Sequence, residues 1–547
     1  MKTKKVKPRW DFVWGIKSFA KKQNLSNFAI PMLPRPLPVG RAHSLFLRGK
    51  SPLSYIFILV FILSSFSFLQ AKKLLAYNEH GGHGGQTIEP QVTEPQSEGA
   101  RIISKFKYKP IEFTPPKPER LVLDNGMILY LLEDHDLPVF RITARVRTGA
   151  VYEPREKAGL ANLVGSVMRR GGTKTRAYEK MNEELEFIAA SVETNIGRES
   201  GGASLSAMKK DIDKGLEIFA DVLMNPAFPE DMIRKEKDEI LEDIRRENDN
   251  PGRIVFREFR KIMYKEDHPY SRRTIGYKDT IENITRDDMV TFHKRYFHPN
   301  NVIMGISGDF DAQEIIEKIK TVFAEWEEAD IDFPEVPAVE KEFQRSINYI
   351  YKDINQAHVV FGHIGIHRLN KDYFPIKIMN FILGGGSFTA RIPSKVRSDE
   401  GLAYSAYSAF HTPRDLGFFF ASCQTKSEST VKAINLALDE VRKIREEYVD
   451  DNELELAKDT YINQFIFKFT SSASVVGQMV GLEYKGLPLD YLETYVDNIK
   501  VVTREDIERV AKEYLHPDEI KLLVIGDMEQ FDKPLTEFGE VNTIELE

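Results

Sequence analysis

Two sets of residues in this 547-residue chain have types and spacing that bear on chemistry. The first lies within 159–173. Leu160, Leu163, Val164 and Val167 recur at helical spacing, so the segment reads as an amphipathic helix. Asn162, Gly165 and Ser166 share the face opposite that apolar stripe, and Arg169 falls on it too. Zinc is held by imidazole, thiolate or carboxylate. This face offers an amide, a bare α-carbon and a hydroxyl, and Arg169 is a fixed cation that would repel a divalent ion. The second set is Arg397 and Tyr404, seven residues apart and downstream of Gly384-Gly385-Gly386. A guanidinium and a phenol are donors that can meet a developing negative charge.

Other reactive side chains are sparse. Cys423 is the single cysteine, which excludes an internal disulfide framework and a cysteine-based zinc site. His363 and His367 read as two periods apart on one strand, with no third ligand in view. His298 and His516 each stand before a proline at a helix-to-strand corner and read as structural. His80 and His83 lie in a Gly/His stretch that reads as a tether. No Gly-Lys-Ser/Thr follows the triple glycine, so the loop does not read as a phosphate cradle.

The elements that carry these residues come in two copies. Thr285-Arg286-Asp287-Asp288 runs through Tyr296-Phe297-His298-Pro299 into an apolar stretch ending at Gly308-Asp309. Thr503-Arg504-Glu505-Asp506 runs through Tyr514-Leu515-His516-Pro517 into another ending at Gly526-Asp527, in gapless alignment with the first. Each copy reads as a Thr-capped helix, a stop at His-Pro, and a strand. The repeat places homologous domains at 119–327 and 343–547, joined by a linker at 328–342. In the first, 127–132 and 140–147 read as strands, and 210–224 and 229–247 as helices. In the second, 346–351 and 358–364 read as strands, and 428–447 and 451–468 as helices. Strand pairs beside helix runs predict an α+β fold, each domain a mostly antiparallel sheet with helices packed on one face.

These motifs resemble the pitrilysin/insulinase-type metallopeptidases, the inverted zincins, over about 119–527. The frame Gly159-x-Ala161…Gly172-Thr173 is similar to that of the family's active-site helix, which carries H-x-x-E-H. The resemblance puts Asn162 and Ser166 at the two histidine positions and Gly165 at the general base. The family's interval to its third ligand, counted from Ser166, lands on Asp243, in a segment that begins with Glu236 and is similar to E-R-x-x-x-x-x-E. The resemblance therefore implies a degenerate zinc site at Asn162, Gly165, Ser166 and Asp243, with no metal. A cation beside a leftover carboxylate offsets the cost of burying either, so Arg169 and Asp243 are expected to meet. Residues 382–405 resemble the family's L-G-G-G-x-x-S-R-L…R-E-x-x-G-L-A-Y-S. That match implies that Arg397 and Tyr404 bind peptide and stabilise the oxyanion at the zinc of a facing domain. It also implies that the two domains form a half-clamshell.

The amino-terminal part differs. Residues 1–50 hold many lysines and arginines against the single acid Asp11, and 53–71 is an uncharged apolar run. A basic stretch before such a run reads as a signal peptide or a membrane anchor, with the bulk of the chain outside the cytoplasm. The expected location is periplasmic, or anchored to the inner membrane by 53–71, and residues 72–118 read as a flexible linker. The resemblance as a whole implies the non-zinc subunit of a heterodimeric peptidase. Its partner is a homologue with H-x-x-E-H, the zinc is in that partner, and peptides are the substrates. Nucleic acid is not an expected partner. The alternatives are a non-enzymatic structural subunit of a membrane-associated complex, and an independent metallopeptidase with an unrecognised site. The missing ligands argue against the last.

Overall fold

A computed structural model describes residues 113–546. The basic region, the apolar run 53–71, and His80 and His83 lie outside the described residues. The first half contains β1 (Glu119–Val122), β2 (Ile128–Glu133), β3 (Val139–Val146), α1 (Leu160–Arg170), α2 (Tyr178–Phe187), β4 (Ser191–Ile196) and β5 (Gly201–Met208). It continues with α3 (Ile212–Met224), α4 (Glu230–Glu247), α5 (Pro251–Tyr264), α6 (Lys278–Asn283), α7 (Arg286–Tyr296), β6 (Val302–Gly308) and α8 (Ala312–Val322). The second half contains β7 (Ser346–Tyr351), β8 (Gln356–Ile364), α9 (Tyr373–Asn380), β9 (Ala403–His411), β10 (Phe418–Lys426) and α10 (Thr430–Glu446). It ends with α11 (Asp451–Ile466), α12 (Ser472–Lys485), α13 (Tyr491–Lys500), α14 (Arg504–Tyr514), β11 (Lys521–Gly526) and β12 (Val541–Thr543). Among the described residues no single helix is long and apolar enough to cross a membrane.

Two six-stranded sheets form the framework, ordered β1-β2-β6-β3-β5-β4 and β12-β7-β11-β8-β10-β9. The orders superpose strand for strand except at one edge. There the first sheet takes β1, antiparallel, and the second takes the carboxy-terminal β12, parallel. In each sheet a parallel pair closes the repeat, β2 with β6 and β7 with β11, and the remaining pairs are antiparallel. The repeated corner has a local cause. Thr285 Oγ1 accepts from the Asp288 amide while Asp288 Oδ2 accepts from the Thr285 amide. Thr503 and Asp506 make the same reciprocal pair. This capping box satisfies two helix-terminal donors in each copy.

Each sheet packs its own half's helices on one face. The other face receives a helix from the opposite half. On β2, Leu129 and Leu131 join the core under the first half's helices, while Tyr130 points the other way, to Val480 of α12. On β11, Leu522 and Val524 face the second half's helices, while Leu523 and Ile525 meet Ile254, Val255 and Phe259 of α5. Side chains alternate along a strand, so burial on both faces requires apolar residues at successive positions. That is why 128–132 and 522–525 are unbroken apolar runs. The reciprocal exchange of α5 and α12 ties the two halves together.

Candidate functional site

Helix α1 begins at Gly159, and its first turn is satisfied at a distance. Glu153 is buried, and its carboxylate accepts from the amides of Gly159 and Ala161, both at 2.8 Å. Burial pushes this carboxyl up to about 8, against the pull of those two amides and of Arg272 and Arg198. No local pattern marks Glu153 as a cap, because it lies six residues before the helix.

The face of α1 that carries Asn162, Gly165 and Ser166 is partly covered, with Gly165 buried and the other two half-buried. Gly165 is buried against edge strand β4. A Cβ added there would fall 2.3 Å from the Ile196 amide nitrogen and 2.8 Å from the Asn195 carbonyl carbon. Thr194 Oγ1 donates to the Gly165 carbonyl at 2.7 Å, fixing the approach. The position where the resemblance puts a general base is therefore occupied by a neighbouring strand.

Ser166 Oγ donates to Glu236 Oε2 of α4 at 2.7 Å. Glu236 is 3% exposed, and its other oxygen lies 2.5 Å from Arg170 Nη1. Arg170 also pairs with Glu239. The carboxylate that meets Ser166 is thus Glu236, at the start of the segment where the resemblance points to Asp243. Asp243 lies two helical turns further along the same face of α4, and it is exposed. Asn162 is half-buried on α1.

Arg169 forms no ion pair with Asp243. Its Nε donates to the Val192 carbonyl and its Nη2 to Asn182 Oδ1, both at 2.8 Å. The reason is angular. Arg169 lies one turn beyond Gly165 and follows it toward β4. Arg170 lies one turn beyond Ser166 and follows it toward α4. The residues that would surround zinc do not fit it: an amide, a hydroxyl and a packed glycine replace two ligands and a base. Among the described residues no cluster of three or more His, Cys, Asp or Glu side chains is arranged to hold a metal ion.

The second set of residues is open. Arg397 lies on a wide helical turn, Ser394–Asp399, and Tyr404 on edge strand β9. The glycine-rich loop is drawn onto β9 because Gly384 lacks a side chain: a Cβ there would fall 2.4 Å from Ser408 Oγ. Asn380 secures the contact, donating to the Ser408 carbonyl and accepting from Ser408 Oγ. Arg397 then stands between two aromatic rings, with its guanidinium carbon 4.4 Å from the Phe388 centroid and 5.8 Å from that of Tyr404. Tyr404 is 75% exposed and Phe388 59%. A guanidinium stacked on aromatic faces is held in place while its N–H groups remain free to donate. Phe388 was not singled out in the sequence. Its signal is a large aromatic in an otherwise small-residue loop.

His363, His367 and His298 are engaged in local hydrogen bonds. His363 is buried in β8, where its Nε2 accepts from the His516 amide at 3.1 Å and its Nδ1 lies 2.9 Å from the Ile364 carbonyl. His367 is not on that strand, which ends at Ile364; it accepts from the Leu369 amide in the following loop. His298 bonds the Lys294 and Glu327 carbonyls. Cys423 is buried, and burial pushes its thiol up to about 12.

Residues 131–276 match the insulinase family model, peptidase family M16, and residues 283–461 match that of the peptidase M16 inactive domain. The chain is 25% identical over 401 residues to the non-peptidase homolog YmxG of Helicobacter pylori, covering 72% of this chain and 90% of that protein. It is also 25% identical over 416 residues to the zinc protease PqqE of the same organism, covering 73% and 90%. A crystal structure of a peptidase M16 inactive domain from Pseudomonas fluorescens superposes with a TM-score of 0.71 at 24% identity, over 77% of this chain and all of that one.

Proposed function

Because this chain belongs to the insulinase-type M16 peptidase family, we propose that it is the non-zinc subunit of a two-subunit metallopeptidase. The observation that carries the reading is an asymmetry between the halves. The catalytic-helix position in the first half lacks ligands and base: Gly165 is packed on β4, and Ser166 is engaged by Glu236. In the second half Tyr404 is exposed, and half-buried Arg397 rests against the Phe388 and Tyr404 rings with its N–H groups unspent on any carboxylate among the described residues. One organism holds two proteins similar to this chain, one named a non-peptidase homologue and the other a zinc protease. That pairing is consistent with division of labour between subunits.

In this reading the partner supplies H-x-x-E-H and the zinc, and with them the activated water. This chain supplies donors. Arg397 N–H groups and the Tyr404 O–H meet the oxygen of the scissile carbonyl as it gains negative charge, and Phe388 holds the guanidinium at its station. Peptides or unfolded segments are the substrates. The basic stretch and the apolar run 53–71 support a location outside the cytoplasm, periplasmic or held at the inner membrane.

Co-purification from the native source, followed by peptidase assays of each subunit alone and mixed, tests this. The expected result is an H-x-x-E-H homologue in the complex and strong activity only in the mixture. A complex without such a homologue, or a partner equally active alone, overturns it in favour of a structural subunit.

A further inference from the structure

The second half contains a cavity of about 570 Å³ that the Arg397 and Tyr404 region does not share. It opens between the start of α9, the end of α12 and the start of α13. Its lining includes Arg368, Lys371, Lys377, Lys468 and Lys485, against the one acid Asp490. Arg368 is committed to Glu199 at 2.7 Å. Among the described residues Lys377, Lys468 and Lys485 have no ion-pair partner. Lys377 Nζ donates to the Tyr495 hydroxyl at 2.8 Å and stands 4.5 Å from the Tyr461 ring. Lys377 and Lys468 each lie about as far from the Tyr495 ring, at 5.0 and 4.9 Å.

This arrangement costs stability as it stands. Burial, and after it the next cation along, holds each ammonium below its ordinary value. Lys468 acts on Lys377, which is lowered to about 8; Lys485 acts on Lys468; Arg368 and Arg145 act on Lys485. Like charges gathered in a low-dielectric cleft repel one another and focus a positive potential into it. An anion in the cavity would reverse the sign of that cost.

The walls indicate which anion. Phe374, Tyr491, Leu482 and Leu487 give apolar and aromatic surface beside the ammonium groups. Lysine point charges accept a carboxylate or a phosphate alike, so the walls decide: apolar and aromatic surface beside the ammonium groups suits an anionic group carried on an apolar residue. We propose that this cavity binds the carboxylate terminus of a peptide chain, with Lys377 and Lys468 holding the carboxylate, Lys485 at the mouth, and the aromatic wall taking an apolar last side chain. The volume is within the usual range for a small-ligand site. The site stands independently of the paired-subunit reading, since it needs no residue of another chain.

The test is calorimetric titration of the full-length chain with N-acetyl-Ala-Leu-Phe, as free acid and as carboxy-terminal amide. The acid is expected to bind saturably and the amide at least tenfold more weakly. Lys468→Met is expected to weaken the acid at least tenfold without lowering the melting temperature of the unliganded chain, because it removes a repelling charge. Lys377→Met is expected to weaken it similarly, and Lys485→Ala at the rim gives a second test should the Lys377 variant fail to fold. Equal binding of acid and amide, or none, overturns the proposal. So does displacement of the acid by an equal concentration of inorganic phosphate, which would mark a simple anion site. A fall in melting temperature with unchanged binding in the Lys468 variant would make the cluster a packing element and overturn it too.

Discussion

Gly165 of α1 and Ile196 of β4 are in backbone contact, close enough that a single added methyl at 165 would meet the Ile196 amide nitrogen at 2.3 Å. In an unpacked helix, alanine in place of glycine stabilises by about 1 kcal/mol. Here the obstacle is backbone, which cannot swing aside. Gly165→Ala is therefore expected to destabilise the chain by about 1–3 kcal/mol, the usual range for overpacking. Urea denaturation measures it. A stabilising alanine would show that β4 gives way easily and that the helix face is open.

Zinc content follows from the same contact. The full-length chain, purified with zinc present and then dialysed, is expected to retain well under one zinc per chain. Asn162 and Ser166 are weak ligands, Ser166 is engaged by Glu236, and Asp243 is a single carboxylate. One tightly bound zinc, lost on Asp243→Ala, would contradict this.

His363 gives a pH dependence of known sign. Its Nε2 lone pair accepts from the His516 amide, so the folded chain resists protonation, and burial lowers the ring to about 3 from 6.5. Between those values the unfolded chain binds a proton that the folded chain refuses. The stabilisation is complete above pH 6.5 and shrinks as pH falls toward 3. Relative to His363→Gln, the wild-type chain should lose about 2 kcal/mol of its advantage between pH 6.5 and pH 5. Denaturant titrations across that range check it, and a constant gap would mean that the ring titrates normally.

Short-range patterns were legible in the sequence, and contacts between distant segments were not. The Thr285 and Thr503 caps depend on residues three apart, and both appear as read. The helices expected at 210–224 and 229–247 form as α3 and α4, and the strands at 346–351 and 358–364 as β7 and β8. The apolar runs at 128–132 and 522–525 marked strands. Their second buried face depends on α12 and α5, which arrive from the opposite half. The loss of ligand chemistry at Asn162, Gly165 and Ser166 could be read from residue types. The packing of Gly165 against β4 could not. Nor could the divergence of Arg169 and Arg170, because one residue step on α1 decides between Val192 and Glu236. The Arg397–Tyr404 spacing was visible; the Phe388 ring on the other side of Arg397 required the folded loop.

The most direct measurement is the turnover of the mixed complex when this chain carries both Arg397→Ala and Tyr404→Phe. Tyr404 is exposed and Arg397 half-buried outside the core, so assembly should be unchanged and the melting temperature little altered. Losing one transition-state donor typically costs about 10²–10³ in kcat. The pair acting on a partner's substrate predicts a fall of at least about 10² in the peptide cleavage rate. Cleavage at the wild-type rate by an intact complex would contradict the account and leave this chain a structural subunit.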